Sequence, residues 1–219
     1  MKKLFFILTF MFFSLSVPAR AACPDNFPPP EIELYSSYGN LSYDFSKNNQ
    51  QITDLASRHG IMEKGLFASG LSTVGVNMDV TLKTIGDVIG EYDFCVYPKT
   101  VQLSIYFSDP KIYISKQLIP NSCEYNVVLR HEQTHQQINK TALDYFLPLF
   151  YQAAGKIAAS VKPVNVSSLS DIDKASAQLT AEYNQKLGIM LDFFKQQLLN
   201  EQLKLDNQNN YQHENTLCR

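Results

Sequence analysis

The segment His131-Glu132-Gln133-Thr134-His135 places two histidines four residues apart, with a glutamate directly after the first. On an α-helix, residues four apart lie on the same face, so both imidazoles can point at one metal ion. Glu132 would lie about 100° around the helix, close enough to contact a water molecule on that ion. Zinc-dependent hydrolysis requires two neutral nitrogen ligands, an open coordination position and a carboxylate base. The segment therefore predicts a zinc site with His131 and His135 as ligands and Glu132 as general base.

The residues around this motif predict a long helix from about 122 to 160. Asn121 and Glu124 have the spacing of an N-cap and its capping-box partner, and Pro148 predicts a kink or an interruption. Apolar residues and the two histidines follow a three-four spacing at Val128, His131, His135, Ile138, Ala142, Tyr145 and Leu149. The histidines therefore belong to the inward face of the helix.

A second long helix is predicted to begin near Asp171 and to end near Asp206, after a polar linker over 162–170. Its apolar face is formed by Leu179, Tyr183, Leu187, Met190, Phe194, Leu198 and Leu205. We expect the two helices to form an antiparallel hairpin about residue 165. In such a hairpin, His131 lies level with about residue 199.

A catalytic zinc normally has a third protein ligand, and this sequence offers several candidates. Glu201 is favoured because it falls at the right level and continues the apolar stripe, where a carboxylate needs a partner. His213, Glu182 and Glu214 are the alternatives. The known extension of the motif with a third histidine six residues after the second is excluded, because Thr141 stands there.

The region before the motif predicts β-structure. Apolar residues alternate in three runs ahead of the predicted helix, at Val74, Val76, Met78, Val80 and Leu82, at Tyr92, Phe94 and Val96, and at Val101, Leu103, Ile105 and Phe107. Pro98-Lys99-Thr100 and Asp109-Pro110 are predicted turns, and Ile112 and Ile114 form a last short strand. With a strand over 31–35 and a short helix over 50–59, the prediction is an α+β fold. In it an antiparallel β meander leads into the motif helix and a second long antiparallel helix.

The first residues predict export. Lys2 and Lys3 precede an apolar run over 4–17, and Ala19-Arg20-Ala21 has the form of a signal-peptidase site. We therefore expect residues 1–21 to be a signal peptide and residues 22–219 to be one domain that is periplasmic or secreted. A retained N-terminal anchor is the alternative. The formal net charge of −2, without a basic patch, gives no reason to expect nucleic acid. No other apolar run is long enough for a stable membrane span after signal cleavage.

The four cysteines are expected to form disulfides, because an exported protein meets an oxidising compartment. Three pairings are possible. We favour Cys95–Cys123, which would clamp the motif helix to a strand, and Cys23–Cys218, which would join the chain ends.

The stretch Cys123-Glu124-Tyr125-Asn126-Val127-Val128-Leu129-Arg130 followed by the motif, together with Cys95, resembles small exported bacterial proteins described as zinc-dependent proteases. The resemblance covers residues 74–142. It implies a zincin-like metallopeptidase domain over 22–219, with Zn²⁺ held by His131 and His135 and with Glu132 as base.

The leading hypothesis is an exported zinc metallopeptidase that acts on protein or on the peptide stems of the cell wall. Tyr183, Tyr211 and His213 are candidates for a side chain that assists at the scissile carbonyl. The second hypothesis is an exported binding or envelope-structural protein whose metal site is structural or vestigial. Glu132 separates the two hypotheses, because a structural site does not need that carboxylate.

Overall fold

The structure, a computed structural model, describes residues 22–24, 26–58 and 67–218. The predicted signal peptide over 1–21 lies outside the described residues. The elements follow one another as β1 (Glu31–Ser37), β2 (Ser42–Asp44), α1 (Asn49–Arg58), β3 (Gly70–Val88), β4 (Phe94–Ile114), α2 (Cys123–Ala158), β5 (Val164–Val166), a 3-10 turn (Leu169–Asp171), α3 (Ile172–Leu205) and α4 (Gln208–Glu214). Both strands and helices are present, so the α+β class is confirmed.

The sheet is built around β4, which pairs on both sides. β3 lies antiparallel along nearly the whole of β4 on one side. On the other side β5 pairs antiparallel with the start of β4, and β1 and then β2 pair parallel with the rest of it. The sheet is therefore mixed, and the predicted antiparallel meander is wrong. The segments that the prediction separated by turns are one strand.

Two β-bulges explain this error. The register between β3 and β4 shifts near Pro98 and again near Pro110, where turns were predicted. Each bulge changes which alternate residues of β4 face the α2 side of the sheet. Even-numbered Val96 packs against α3, the odd-numbered residues from Val101 to Phe107 pack against both long helices, and even-numbered Ile112 is then fully buried. Pro98 also lies between the ends of β5 and β1, where its missing N–H costs no ladder hydrogen bond.

The two long helices pack antiparallel on one face of the sheet, as predicted. Their shared core joins both helices to β3 and β4 and includes Val80, Val101, Leu103, Ile105, Phe107, Leu143, Phe146, Phe150, Ala154, Tyr183, Leu187, Phe194 and Leu198. α2 is continuous through Pro148. Its N-cap is Ser122, whose side chain accepts a hydrogen bond from the Tyr125 backbone N–H, and not Asn121 as predicted. At the far end of the sheet, α1 packs through Ile52 against Leu71.

The helix pair is offset along its axis from the symmetric hairpin that the sequence predicts. His131 contacts Asp206, about two turns further along α3 than the expected level at residue 199. The connection between the helices causes the offset. After Ala158 the chain forms β5 along the start of β4 before α3 begins at Ile172. The start of α3 therefore lies about 10 Å further along the helix axis, beyond the end of α2, than a tight turn would place it.

Two disulfides are present, which confirms disulfide bonding, but the favoured pairing is wrong. Cys23 is bonded to Cys95 and Cys123 to Cys218. Cys95 lies at the start of β4 and Cys123 follows its end, so about 60 Å of extended strand separates the two. The first bond fixes the lead-in to the sheet, and the second fixes the C-terminal segment to the start of α2. Within the described part of the chain, no helix is long and apolar enough to cross a membrane.

Candidate metal centre

Three side chains from two elements converge beside the helix pair. His131 and His135 project from α2, and Asp206 is the C-cap residue of α3. Asp206 Oδ1 lies 3.0 Å from the Nε2 atoms of both histidines, and those two Nε2 atoms lie 3.1 Å apart. Both histidines are buried and Asp206 is largely buried. One nitrogen or oxygen atom from each residue therefore meets at a single point.

The spacing of these atoms fits a small divalent cation. Tetrahedral ligands at about 2.0–2.1 Å from zinc lie roughly 3.3 Å from one another, close to the 3.0–3.1 Å separations observed. Two imidazoles and one carboxylate are also a donor set that suits zinc and leaves a fourth position for water. The same contacts become ion pairs when the histidines are protonated. The cluster can therefore be balanced by protons or by a cation.

A short C-terminal segment covers the cluster. Its helix α4 contributes Tyr211, whose hydroxyl donates to Asp206 Oδ1 at 2.7 Å and whose ring stacks on that of His131 at 5.3 Å. It also contributes Glu214, whose carboxylate oxygens lie 3.1 and 3.2 Å from His131 Nδ1. A carboxylate on Nδ1 directs the Nε2 lone pair of a histidine at a metal. The disulfide between Cys123 and Cys218 ties this segment to the start of α2.

Glu132 is buried between α2 and the start of β3. A Cβ atom placed on Gly70 would lie 2.5 Å from Glu132 Oε1 and 2.6 Å from Val128 Cγ1. A glycine is therefore required at this position for the carboxylate to keep its place. Burial raises the pKa of Glu132 to about 7, although the neighbouring histidines act in the opposite direction.

The charges of the cluster are strongly coupled. Burial favours the neutral imidazole of His131, but Asp206, Glu132 and Glu214 outweigh burial and raise its pKa to about 9. The pKa of His135 is raised in the same way, with Asp206 as the main opposing partner. Burial raises the pKa of Asp206, but hydrogen bonds from the two histidines and Tyr211 hold it well below its usual range. The cluster thus attracts positive charge, as a cation site must.

None of the four residues predicted as a third metal ligand belongs to this group of three side chains. Glu201, the favoured third ligand, is half-exposed and pairs with Lys204 Nζ at 2.6 Å, and Asp206 instead lies beside the histidines. Glu182 pairs with Lys186, and His213 is exposed on α4. Glu214 contacts a histidine, although through the nitrogen that faces away from the cluster.

The structure places the candidates for assistance at the scissile carbonyl in different surroundings. Tyr183 is fully buried in the core between the helices and the sheet, where burial raises its pKa to about 12. Tyr211 is the candidate that contacts the cluster.

Asp206 was missed because a symmetric hairpin places it about two turns beyond the level of His131. One signal was present. The carbonyl groups at the C-terminus of a helix repel a carboxylate, and Asp206 stands directly after Leu205 at that end. An acidic residue at this place needs positive charge or donors to offset the repulsion.

Comparisons with other proteins add no assignment, since the chain matches no protein-family model, no curated protein and no solved structure. Function has to be inferred from the residues of the site.

Proposed function

We propose that this protein is an exported zinc-dependent peptidase with His131, His135 and Asp206 as the metal ligands and Glu132 as general base. The observation that carries the proposal is the convergence of two imidazole nitrogens and a carboxylate oxygen within 3.1 Å of one another. A buried carboxylate follows the first ligand directly in the sequence. The two disulfides are compatible with export.

The residues of the chain have distinct tasks in this proposal. Zinc held by His131, His135 and Asp206 would lower the pKa of a water molecule towards neutrality and polarise the scissile carbonyl group. Glu132, a buried carboxylate next to His131 in the sequence, would accept the proton of the attacking water and deliver it to the leaving amine. Glu214 and Tyr211 orient His131 and Asp206. The substrate is a protein or a cell-wall stem peptide.

One observation favours a second candidate, an exported binding or structural protein with a structural metal. The C-terminal segment encloses the cluster, and His131 and His135 are only 6% and 7% exposed. Structural zinc sites are closed, whereas catalytic sites keep a position open to substrate. In that case Glu132 has no proton to transfer.

The test compares wild-type protein with Glu132→Gln and with the double variant His131→Ala/His135→Ala. Elemental analysis measures zinc in each protein, and mass spectrometry follows cleavage of unfolded proteins and of cell-wall stem peptides. If the protein is a peptidase, the wild type and Glu132→Gln each bind about one zinc per chain, but only the wild type hydrolyses peptides. The double variant neither binds zinc nor hydrolyses peptides.

Zinc bound without any hydrolysis favours the structural site. Wild-type protein that binds no zinc, after zinc has been supplied and the excess removed, refutes both candidates.

A further inference from the structure

Three amide side chains form a continuous hydrogen-bonded chain from His135 to the sheet. Gln202 Oε1 contacts His135 Nδ1, and Gln202 Nε2 donates to Asn139 Oδ1 at 2.6 Å. Asn139 Nδ2 donates to Gln136 Oε1 at 3.3 Å. Gln136 Nε2 in turn donates to the backbone oxygen of Thr73 in β3, also at 3.3 Å. The chain thus joins α3, α2 and β3.

The direction of this chain is fixed at both ends by backbone carbonyl groups, which can only accept. Gln136 must present its NH₂ group to Thr73, so its oxygen faces Asn139. Gln202 Nε2 also donates to the backbone oxygen of His135 at 3.2 Å, so the oxygen of Gln202 must face His135 Nδ1. An amide oxygen is only an acceptor, and Nδ1 must therefore carry the proton.

Burial makes the chain rigid. Gln136 and Asn139 are 6% and 2% exposed, and a buried amide group left without a hydrogen-bond partner is strongly destabilising. Turning Gln136 or Asn139 over would place two donors opposite each other on one side and two acceptors opposite each other on the other side. Apolar side chains could pack the two helices without this constraint. The amides are thus explained better by what they do to His135 than by packing.

We propose that Gln202 is a positioning residue of the metal centre. Through Asn139 and Gln136 it holds the proton of His135 on Nδ1 and keeps the lone pair of Nε2 directed at a divalent cation. The inference rests on the metal site proposed above. The other histidine, His131, is oriented by the carboxylate of Glu214, so the two ligands are held by different means.

Two variants of Gln202 separate this role from packing. Gln202→Met keeps the length of the side chain but can neither accept from Nδ1 nor donate. Gln202→Glu can still accept from Nδ1 but cannot donate to Asn139 or to the His135 carbonyl. Both variants break the chain and both lose stability, yet only the methionine variant releases the proton on Nδ1.

The measurements are zinc affinity, by competition with a chelator, and ¹H–¹⁵N NMR of the histidine rings in the zinc-loaded proteins. In the wild type and in Gln202→Glu, we expect a His135 Nδ1–H resonance protected from solvent exchange. In Gln202→Met we expect that resonance to be lost and zinc affinity to fall about 10–100-fold. The Nδ1–H signal of His131 should persist in all three proteins and is the internal control.

A folded Gln202→Met protein with wild-type affinity overturns the proposal, and so does an equal loss of affinity in the two variants. If Gln202→Met does not fold, Gln202→Glu decides, because loss of zinc from a folded protein that still accepts from Nδ1 contradicts the role. Wild-type protein without zinc refutes the metal site itself, which distinguishes that failure from failure of the positioning role alone.

Discussion

Replacing Asp206 by alanine should remove the metal site, whereas replacing Glu201 should not. Asp206 Oδ1 is within 3.0 Å of both histidine Nε2 atoms and accepts from Tyr211. Changes to residues that merely orient a ligand cost 10–100-fold in affinity, so loss of a direct ligand should cost at least about 100-fold, or roughly 2.7 kcal/mol. Without metal, loss of this largely buried partner should lower the free energy of unfolding by about 3–5 kcal/mol.

Glu201→Ala is the matched control. Its carboxylate is half-exposed and pairs on the surface with Lys204, so its loss should change the free energy of unfolding by less than about 1 kcal/mol and leave zinc affinity intact. Chelator competition gives zinc affinity, and urea unfolding gives stability. A Glu201→Ala protein that loses zinc while Asp206→Ala keeps it would refute the geometric reasoning and restore the third ligand that the sequence favoured.

Three further predictions concern the base, the C-terminal segment and the core. Gly70→Ala should push Glu132 aside and lower hydrolysis at least about tenfold with zinc retained. Gly188→Ala, whose added Cβ meets no atom within 4 Å, is the control, and unchanged hydrolysis in Gly70→Ala contradicts this placement. Replacing both Cys123 and Cys218 by serine should lower the free energy of unfolding by up to about 4.7 kcal/mol. It should also weaken zinc binding, because the disulfide between these cysteines anchors the segment that covers the site. Zinc affinity that stays at the wild-type level is the contrary result. Phe150→Ala should lower the free energy of unfolding, measured by denaturant titration, by about 3–5 kcal/mol and leave zinc binding intact. A decrease of less than about 1 kcal/mol would mean that Phe150 is not in the core.

The sheet shows where alternation of apolar residues stops being informative. The runs around Val96, Val101 and Ile112 were recognised, and each belongs to β4. Their breaks at Pro98 and Pro110 have the same sequence signature whether the chain turns back or continues through a bulge. The difference depends on the neighbouring strands, which supply the partners on either side of β4.

The sequence alone determined the local parts of the site. The spacing of His131 and His135 places two imidazoles on one helical face wherever that helix lies, and Glu132 follows from the same periodicity. The two long helices and their antiparallel packing were also predictable, since each has a continuous apolar face and a polar linker joins them.

Only the tertiary structure decided which groups meet those histidines. The level at which α3 passes α2 depends on the β5 connection, which displaces α3 by about two turns and brings Asp206 and Gln202 opposite the histidines in place of residues near 199. The partners of the cysteines likewise depend on where β4 carries its two ends. Contacts between distant segments are set by the axial offsets of whole elements, and a local pattern of residues does not contain those offsets.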